Sequence, residues 1–189
     1  MILMRHGESE FNVVYQKTRV DPGIRDPRLT EAGRRQVVET ADRLRGFGVC
    51  RILTSPYARA LETAAIVASH LALPVTVDAA IGERAAFTCD MGTPGSALRR
   101  VWPQFELDHI AESWWPTLIE SEASLDGRCR RFRAALAASP DWSGTLVVSH
   151  WGFIRGLTGH TVGNARLVAF DPTSDHPGGG SVVPHDVPC

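Results

Sequence analysis

The chain has 189 residues, of which 43% are hydrophobic and 22% charged, with a formal net charge of −1. That length suits one domain, large enough to bury a core without disulfide or metal staples. The near-neutral charge provides no global field for nucleic acid or an anionic membrane, so any anion binding must be local.

The first residues lack a basic region followed by a long apolar stretch, so they do not read as a signal peptide. No apolar run approaches the roughly 18 residues of a membrane span. Cys50, Cys89, Cys129 and Cys189 are scattered without a CxxC pair, which argues for free thiols rather than a zinc or redox centre. These features predict a cytoplasmic protein with neither a membrane nor a nucleic-acid partner.

Residues 2–4 form a short apolar run that stops at Arg5-His6-Gly7, the pattern of a buried strand ending in a polar loop. Residues 12–28 have no clear period and include Pro22, Gly23 and Pro27, which predicts a loop. Thr30 is a good N-cap for a helix with a stripe of Val37, Ala41 and Leu44, ended by Gly46 and Gly48. A second strand is expected over 51–54. Pro56 then suits the first position of a helix running to about His70, with Leu61, Ala64, Ala68 and Leu71 facing the core.

A short strand is expected over 74–77. Residues 82–120 are irregular, with Pro94, Pro103 and Pro116 interrupting one or two short helices. Trp102, Trp114, Trp115, Phe87 and Phe105 fall in this stretch, and an inserted cap with its own small core explains them better than stacking on a substrate. Leu125, Cys129, Phe132 and Leu136 repeat at helical spacing. A continuous apolar strand follows over 145–149, then His150-Trp151-Gly152 and another helix, and a last strand over 166–170. After Asp171 the density of proline and glycine predicts a loose tail over 171–189. Strands alternating with helices imply an α/β fold, helices flanking a mostly parallel sheet.

Three strand ends carry unusual polar residues: Arg5-His6-Gly7, the approach to Arg59, and Ser149-His150. Ligands in open α/β sheets gather at the carboxyl ends of strands, so two arginines and two histidines should meet in one crevice. A metal is a poor occupant beside two guanidinium groups, whereas a phosphate accepts their bidentate hydrogen bonds. Arg59 falls in the first turn of its helix, where the macrodipole disfavours a cation and a bound anion would offset that. Gly7 would let the loop backbone approach the ligand. A neutral imidazole in such a pocket can attack phosphorus.

The ordered blocks resemble the histidine phosphatase superfamily, in its cofactor-dependent phosphoglycerate mutase-like branch. They are Arg5-His6-Gly7-Glu8-Ser9 with Asn12, Leu29-Thr30-Glu31-Ala32-Gly33 with Gln36, and Thr54-Ser55-Pro56 with Arg59-Ala60 and Thr63. Gly82-Glu83-Arg84 and Val148-Ser149-His150 with Gly152 complete the set. The resemblance implies a three-layer sandwich over residues 1–170, with an inserted cap near 84–120. It implies that His6 is the phospho-accepting nucleophile, that Arg5, Arg59 and His150 bind phosphoryl oxygens, and that Asn12 makes a further phosphate or substrate contact. It makes Glu83 the proton donor, whose pKa must then be raised, and it implies no metal or organic cofactor.

True mutases of that branch carry a tyrosine- and glycine-rich stretch with a lysine after the acid, which residues 84–94 lack. A phosphatase acting on a small phosphorylated metabolite is therefore favoured. The alternatives are mutase-type phosphoryl transfer, a phosphoprotein phosphatase, and a phosphoryl-ligand binding module without turnover. Arg59 could instead pair with Glu62 or Glu83, and Asp78 or Asp90 could replace Glu83 in the crevice.

Overall fold

The computed structural model describes residues 1–116 and 119–184. Six strands form one sheet: β1 (Ile2–Arg5), β2 (Arg51–Thr54), β3 (Val75–Val77), β4 (Thr145–Ser149), β5 (Leu167–Phe170) and β6 (Gly180–Val182). Their order is β3-β2-β4-β1-β5-β6. The first four are parallel, and β5 and β6 add an antiparallel edge. The helices are α1 (Glu10–Thr18), α2 (Glu31–Leu44), α3 (Ala58–Leu71), α4 (Gly95–Val101), α5 (Glu122–Ala137) and α6 (Trp151–Thr158).

Successive strand side chains point to opposite faces, and here both faces are covered. Ile2, Met4, Leu146 and Val148 pack with Val37 and Ala41 of α2 and Ala60, Ala64 and Val67 of α3. Leu3 and Val147 point the other way, into Leu125, Cys129 and Phe132 of α5 and Phe153, Ile154 and Leu157 of α6. The result is the three-layer α/β sandwich expected.

The register carries the strand ends to a common level. Arg5 pairs with Ser149 across β1 and β4, and Thr54 pairs with Val148 across β2 and β4. The His6 amide donates to the Ser149 carbonyl at 3.0 Å, which extends the ladder one step into the loops.

Three expectations are corrected. Residues 12–18 of the expected loop are helix, part of α1; Phe11 is the one side chain of α1 that is buried, so no core-facing period marks it. The Ser55 hydroxyl accepts from the Tyr57 amide, and this turn delays α3 to Ala58, with Tyr57 rather than Ser55 before its first residue. Residues 171–184 are anchored rather than loose: β6 pairs with β5, and Arg133 donates to the carbonyls of Leu157, Ser174 and Gly178. The remainder of the expected tail, 185–189, lies outside the described residues.

The irregular segment packs on the scaffold. Leu98, Trp102, Leu107 and Ile110 form a cluster with Leu61 of α3 and Val77 of β3, and Phe105 and Trp114 pack against it. Phe87 sits apart, against Phe11 and Tyr15 of α1. Two aspartates from the loop after α1 tie the segment down. Asp21 accepts from the Thr88 amide at 2.7 Å, and Asp26 accepts from both the Thr93 amide and hydroxyl.

Gly7 also has a packing task. A Cβ there would lie 2.6 Å from the Gly33 carbonyl oxygen, and a Cβ on Gly33 would lie 2.1 Å from the Glu8 carbonyl oxygen. The glycine pair lets the loop after β1 lie directly on α2. Gly33→Ala should therefore lower stability by about 1–3 kcal/mol, the scale of overpacking. Gly163→Ala, whose new methyl would meet only the Arg166 side chain at 3.5 Å, should change it by less than about 1 kcal/mol. Urea unfolding of the two variants provides the comparison.

Candidate active site

A cavity of about 430 Å³ opens at the carboxyl ends of β1, β2 and β4, lined by Arg5, His6, Asn12, Arg59 and Glu83 among others. His150 is fully buried behind His6, with its ring centroid 5.2 Å from that of His6. The structure thus brings together the residues singled out in the sequence.

His6 follows the last residue of β1, and its Nδ1 lies 2.7 Å from the Gly7 carbonyl oxygen. A carbonyl only accepts, so this contact assigns the proton to Nδ1 and leaves the Nε2 lone pair unprotonated. Burial holds the His6 pKa well below the ordinary imidazole value, with the charges of Arg59 and Arg5 acting in the same direction. His150 is likewise held neutral by burial, then by Arg59 and His6. Its Nε2 meets the Ser55 hydroxyl at 2.8 Å, while its Nδ1 is buried with no partner among the described residues.

Arg5 donates from one terminal nitrogen to the Val162 carbonyl at 2.8 Å, and its Nε is another buried atom with no described partner. Burial lowers its pKa to about 10, with Glu83 opposing and Arg59 reinforcing the shift. Each unpaired buried donor carries a desolvation penalty that an acceptor would relieve. A tetrahedral oxyanion offers these atoms the acceptors they lack.

Arg59 is held on three sides. Its guanidinium donates to the Cys89 carbonyl at 2.9 Å and the Asp90 carboxylate at 3.2 Å, and sits 4.5 Å over the Tyr57 ring. The ion-pair partner is thus Asp90, neither Glu62 nor Glu83; Glu62 binds Arg28 and Arg34 instead. The start of α3 is also already served, since the Ala58 amide donates to Asp26 at 2.9 Å. Protein carboxylates therefore offset the macrodipole penalty on Arg59 without waiting for a bound anion.

Glu83 accepts at one oxygen from the Arg84 and Gly152 amides, both at 2.8 Å. A Cβ on Gly152 would fall 2.4 Å from that oxygen, so only glycine permits the contact. Burial raises the Glu83 pKa first and the negative Asp90 second, against the lowering by Arg59 and the Arg84 amide. The carboxyl is thereby biased towards its protonated form. Arg84 itself is engaged by the Glu120 carbonyl and the Glu122 carboxylate.

Asn12 lines the cavity, but its carbonyl oxygen already accepts from the Ser9 amide, the Ser9 hydroxyl and the Asn164 side chain. Its role here is to close the first turn of α1. Sequence reasoning missed Tyr57, Asn164 and the tie between Asp90 and Arg59. Tyr57 donates its hydroxyl to the Asp90 carbonyl at 2.7 Å and packs edge-on against His150. Asn164 donates to the carbonyls of His6 and Gly7 from 158 and 157 residues away, a reach that leaves no local pattern.

Neutral imidazole, buried guanidinium groups and a carboxyl whose pKa is raised by burial, at the carboxyl edge of a mostly parallel sheet, are the equipment of phosphoryl transfer. Comparison with known proteins gives the class its family: residues 1–176 match the model of the histidine phosphatase superfamily, branch 1, and the chain belongs to that superfamily. It is 32% identical over 164 residues to a protein of Proteus mirabilis named "Probable phosphoglycerate mutase GpmB", covering 78% of this chain and 67% of that one. It is 29% identical over 174 residues to the glucosyl-3-phosphoglycerate phosphatase of Mycobacterium tuberculosis, covering 84% and 73%. Among solved structures, the mycobacterial glucosyl-3-phosphoglycerate phosphatase in complex with VO3 superposes with a TM-score of 0.64, at 24% identity, over 99% and 97% of the two chains.

Replacing Asp90 by asparagine should act in two ways. Loss of the charged partner of Arg59 should lower kcat/KM about 10- to 100-fold. Removal of the negative charge that helps raise the Glu83 pKa should let Glu83 lose its proton at lower pH. The descending, high-pH limb of the activity profile should then move to lower pH, which a kcat/KM profile of both proteins would reveal.

Proposed function

We propose that this chain is a phosphatase that hydrolyses a small phosphomonoester through a phosphohistidine on His6, without a metal. The observation that carries the reading is the His6 imidazole: kept neutral by burial, and with Nδ1 engaged by the Gly7 carbonyl, it offers Nε2 as the nucleophile. Arg5, Arg59 and the Nδ1–H of His150 hold the phosphoryl oxygens, supplying the charge that a metal would otherwise bring. Asn12 contributes its amide edge at the cavity wall.

In the first step Nε2 attacks phosphorus, the P–O ester bond breaks, and the leaving oxygen takes the proton of Glu83. In the second, the Glu83 carboxylate takes a proton from water, whose oxygen attacks phosphorus as the P–N bond breaks. Inorganic phosphate leaves, and Glu83 is protonated again. The low pKa of His6 keeps the nucleophile competent into acid, and the raised pKa of Glu83 keeps the acid protonated further towards neutrality. Activity should fall below the first value and above the second.

The chain is taken as one catalytic domain, with residues 84–120 inserted as a cap that contributes one wall of the site. It acts in the cytoplasm on a small phosphorylated substrate, with no nucleic-acid partner. The free thiols of Cys50, Cys89 and Cys129 support a reducing compartment. Mutase transfer is disfavoured because Arg84, the cation beside Glu83, is committed to Glu120 and Glu122.

His6→Ala should lower phosphate release from an aryl phosphate by about three orders of magnitude or more, the scale of losing a nucleophile. Native turnover should survive excess chelator. Glu83→Gln should accumulate an acid-labile phosphoenzyme from substrates with good leaving groups. Persistent turnover in His6→Ala would overturn the nucleophile, and efficient interconversion of 2- and 3-phosphoglycerate with negligible hydrolysis would overturn the phosphatase reading.

A further inference from the structure

The phosphoryl pocket accounts for only part of the cavity. Another part of its wall is aromatic. Phe11 and Tyr15, one helical turn apart on α1, stack with ring centroids 5.1 Å apart. Phe87, from the segment after Glu83, meets both rings, at 5.6 Å from Phe11 and 5.1 Å from Tyr15. Trp151, next to His150, lines the same cavity. Among the described residues the two exposed large aromatic side chains are Phe87 and Trp151, each 40% exposed, and both lie in this lining.

Their exposure is what separates these rings from the packing aromatics. Trp102 belongs to the cluster under the inserted segment and is buried, and Phe105 packs against it. Phe87 joins no such cluster and keeps apolar surface in water, an arrangement that a ligand ring would relieve. The carboxylates beside the phosphoryl pocket are already committed, while Gln16 and Arg19 also line the same cavity. Glu83 accepts two amides at one oxygen, and Asp90 accepts from Arg59 and from the Ala86 and Phe87 amides. Beside Glu83 a second phosphate would compete with Glu122 for Arg84, and Arg19 sits over the Tyr15 ring, 5.8 Å from its centroid.

We propose that Phe11, Tyr15, Phe87 and Trp151 form a leaving-group subsite, and that the substrate is a monophosphate ester of an alcohol bearing a flat aromatic ring. The inference rests on the phosphatase reading for its placement of the phosphoryl group, but its test can be read separately.

Leaving-group acidity must be held constant, because aryl phosphates are intrinsically better substrates. The comparison is therefore 2-phenylethyl phosphate against ethyl phosphate, both esters of simple primary alcohols. The native protein should favour the phenylethyl ester by about tenfold or more in kcat/KM, the scale of an apolar group filling a matched pocket. Phe87→Ala, and independently Trp151→Ala, should collapse that ratio towards one, chiefly through KM. Both side chains are substantially exposed, so truncation should leave the fold intact, which the far-ultraviolet dichroism would check.

A native ratio near one, or a ratio unchanged in both variants, would overturn the aromatic subsite while leaving the phosphatase reading standing. Calorimetric binding of the same two esters to His6→Ala decides the matter if native turnover is absent. Tighter binding of the phenylethyl ester would support the subsite even as the phosphatase reading fell, and equal binding would overturn the subsite as well.

Discussion

Everything in the site follows from how three parallel strands are aligned. Backbone hydrogen bonds pair Arg5 of β1 with Ser149 of β4, and Thr54 of β2 with Val148 of β4. His6 and His150 are thereby the first residues past two neighbouring strand ends, and α3 enters from the third. A slip of one residue would turn every side chain of a strand to the opposite face. That slip is opposed from both sides, because Leu3 and Val147 are needed by α5 and α6 while Met4 and Val148 are needed by α2 and α3. Packing of the core and placement of the two imidazoles are one constraint.

Within that frame the electrostatics is arranged around buried charge. Burial, reinforced by the two guanidinium groups, keeps both imidazoles neutral, the state in which one can attack and the other can donate. Asp90 serves both neighbours: it neutralises and orients Arg59, and its negative charge discourages ionisation of Glu83. Its second oxygen is fixed by the Ala86 and Phe87 amides, so the carboxylate cannot swing away from either task. Acid, cation and counter-charge are thus set by one short segment.

The glycines mark where elements must touch. Gly7 and Gly33 bring the loop after β1 onto α2, and Gly152 admits the Glu83 carboxyl to the first turn of α6. By contrast, the walls of the cavity come from α1 and the inserted segment, joined by the ties of Asp21 and Asp26 and by the packing of Phe87 on Phe11 and Tyr15. The residues proposed for the chemistry stand on strand ends and helix starts, and the proposed leaving-group subsite stands on elements outside the sheet.

Strands β1, β2 and β4, helices α2 and α5, and the gathering of Arg5, His6, Arg59, Glu83 and His150 at one end of the sheet were legible in the sequence. Each buried element repeats at its own period, and the polar residues stand where those periods break. Helix α1 was not legible, because it faces a cavity and shows no core stripe, and β6 was not, because glycine-rich edge strands resemble loops. Asn12 carried its motif position, but its carbonyl oxygen is taken up by Ser9 and Asn164. The sequence by itself determined the alternating α/β pattern and the kinds of side chain available for phosphoryl chemistry. Only the tertiary structure decided that Arg59 pairs with Asp90, that Asn164 and Val162 brace the first strand end, and that Phe87 joins α1 at the cavity. Those contacts join residues tens to more than a hundred positions apart, and nothing local in the chain encodes such distances.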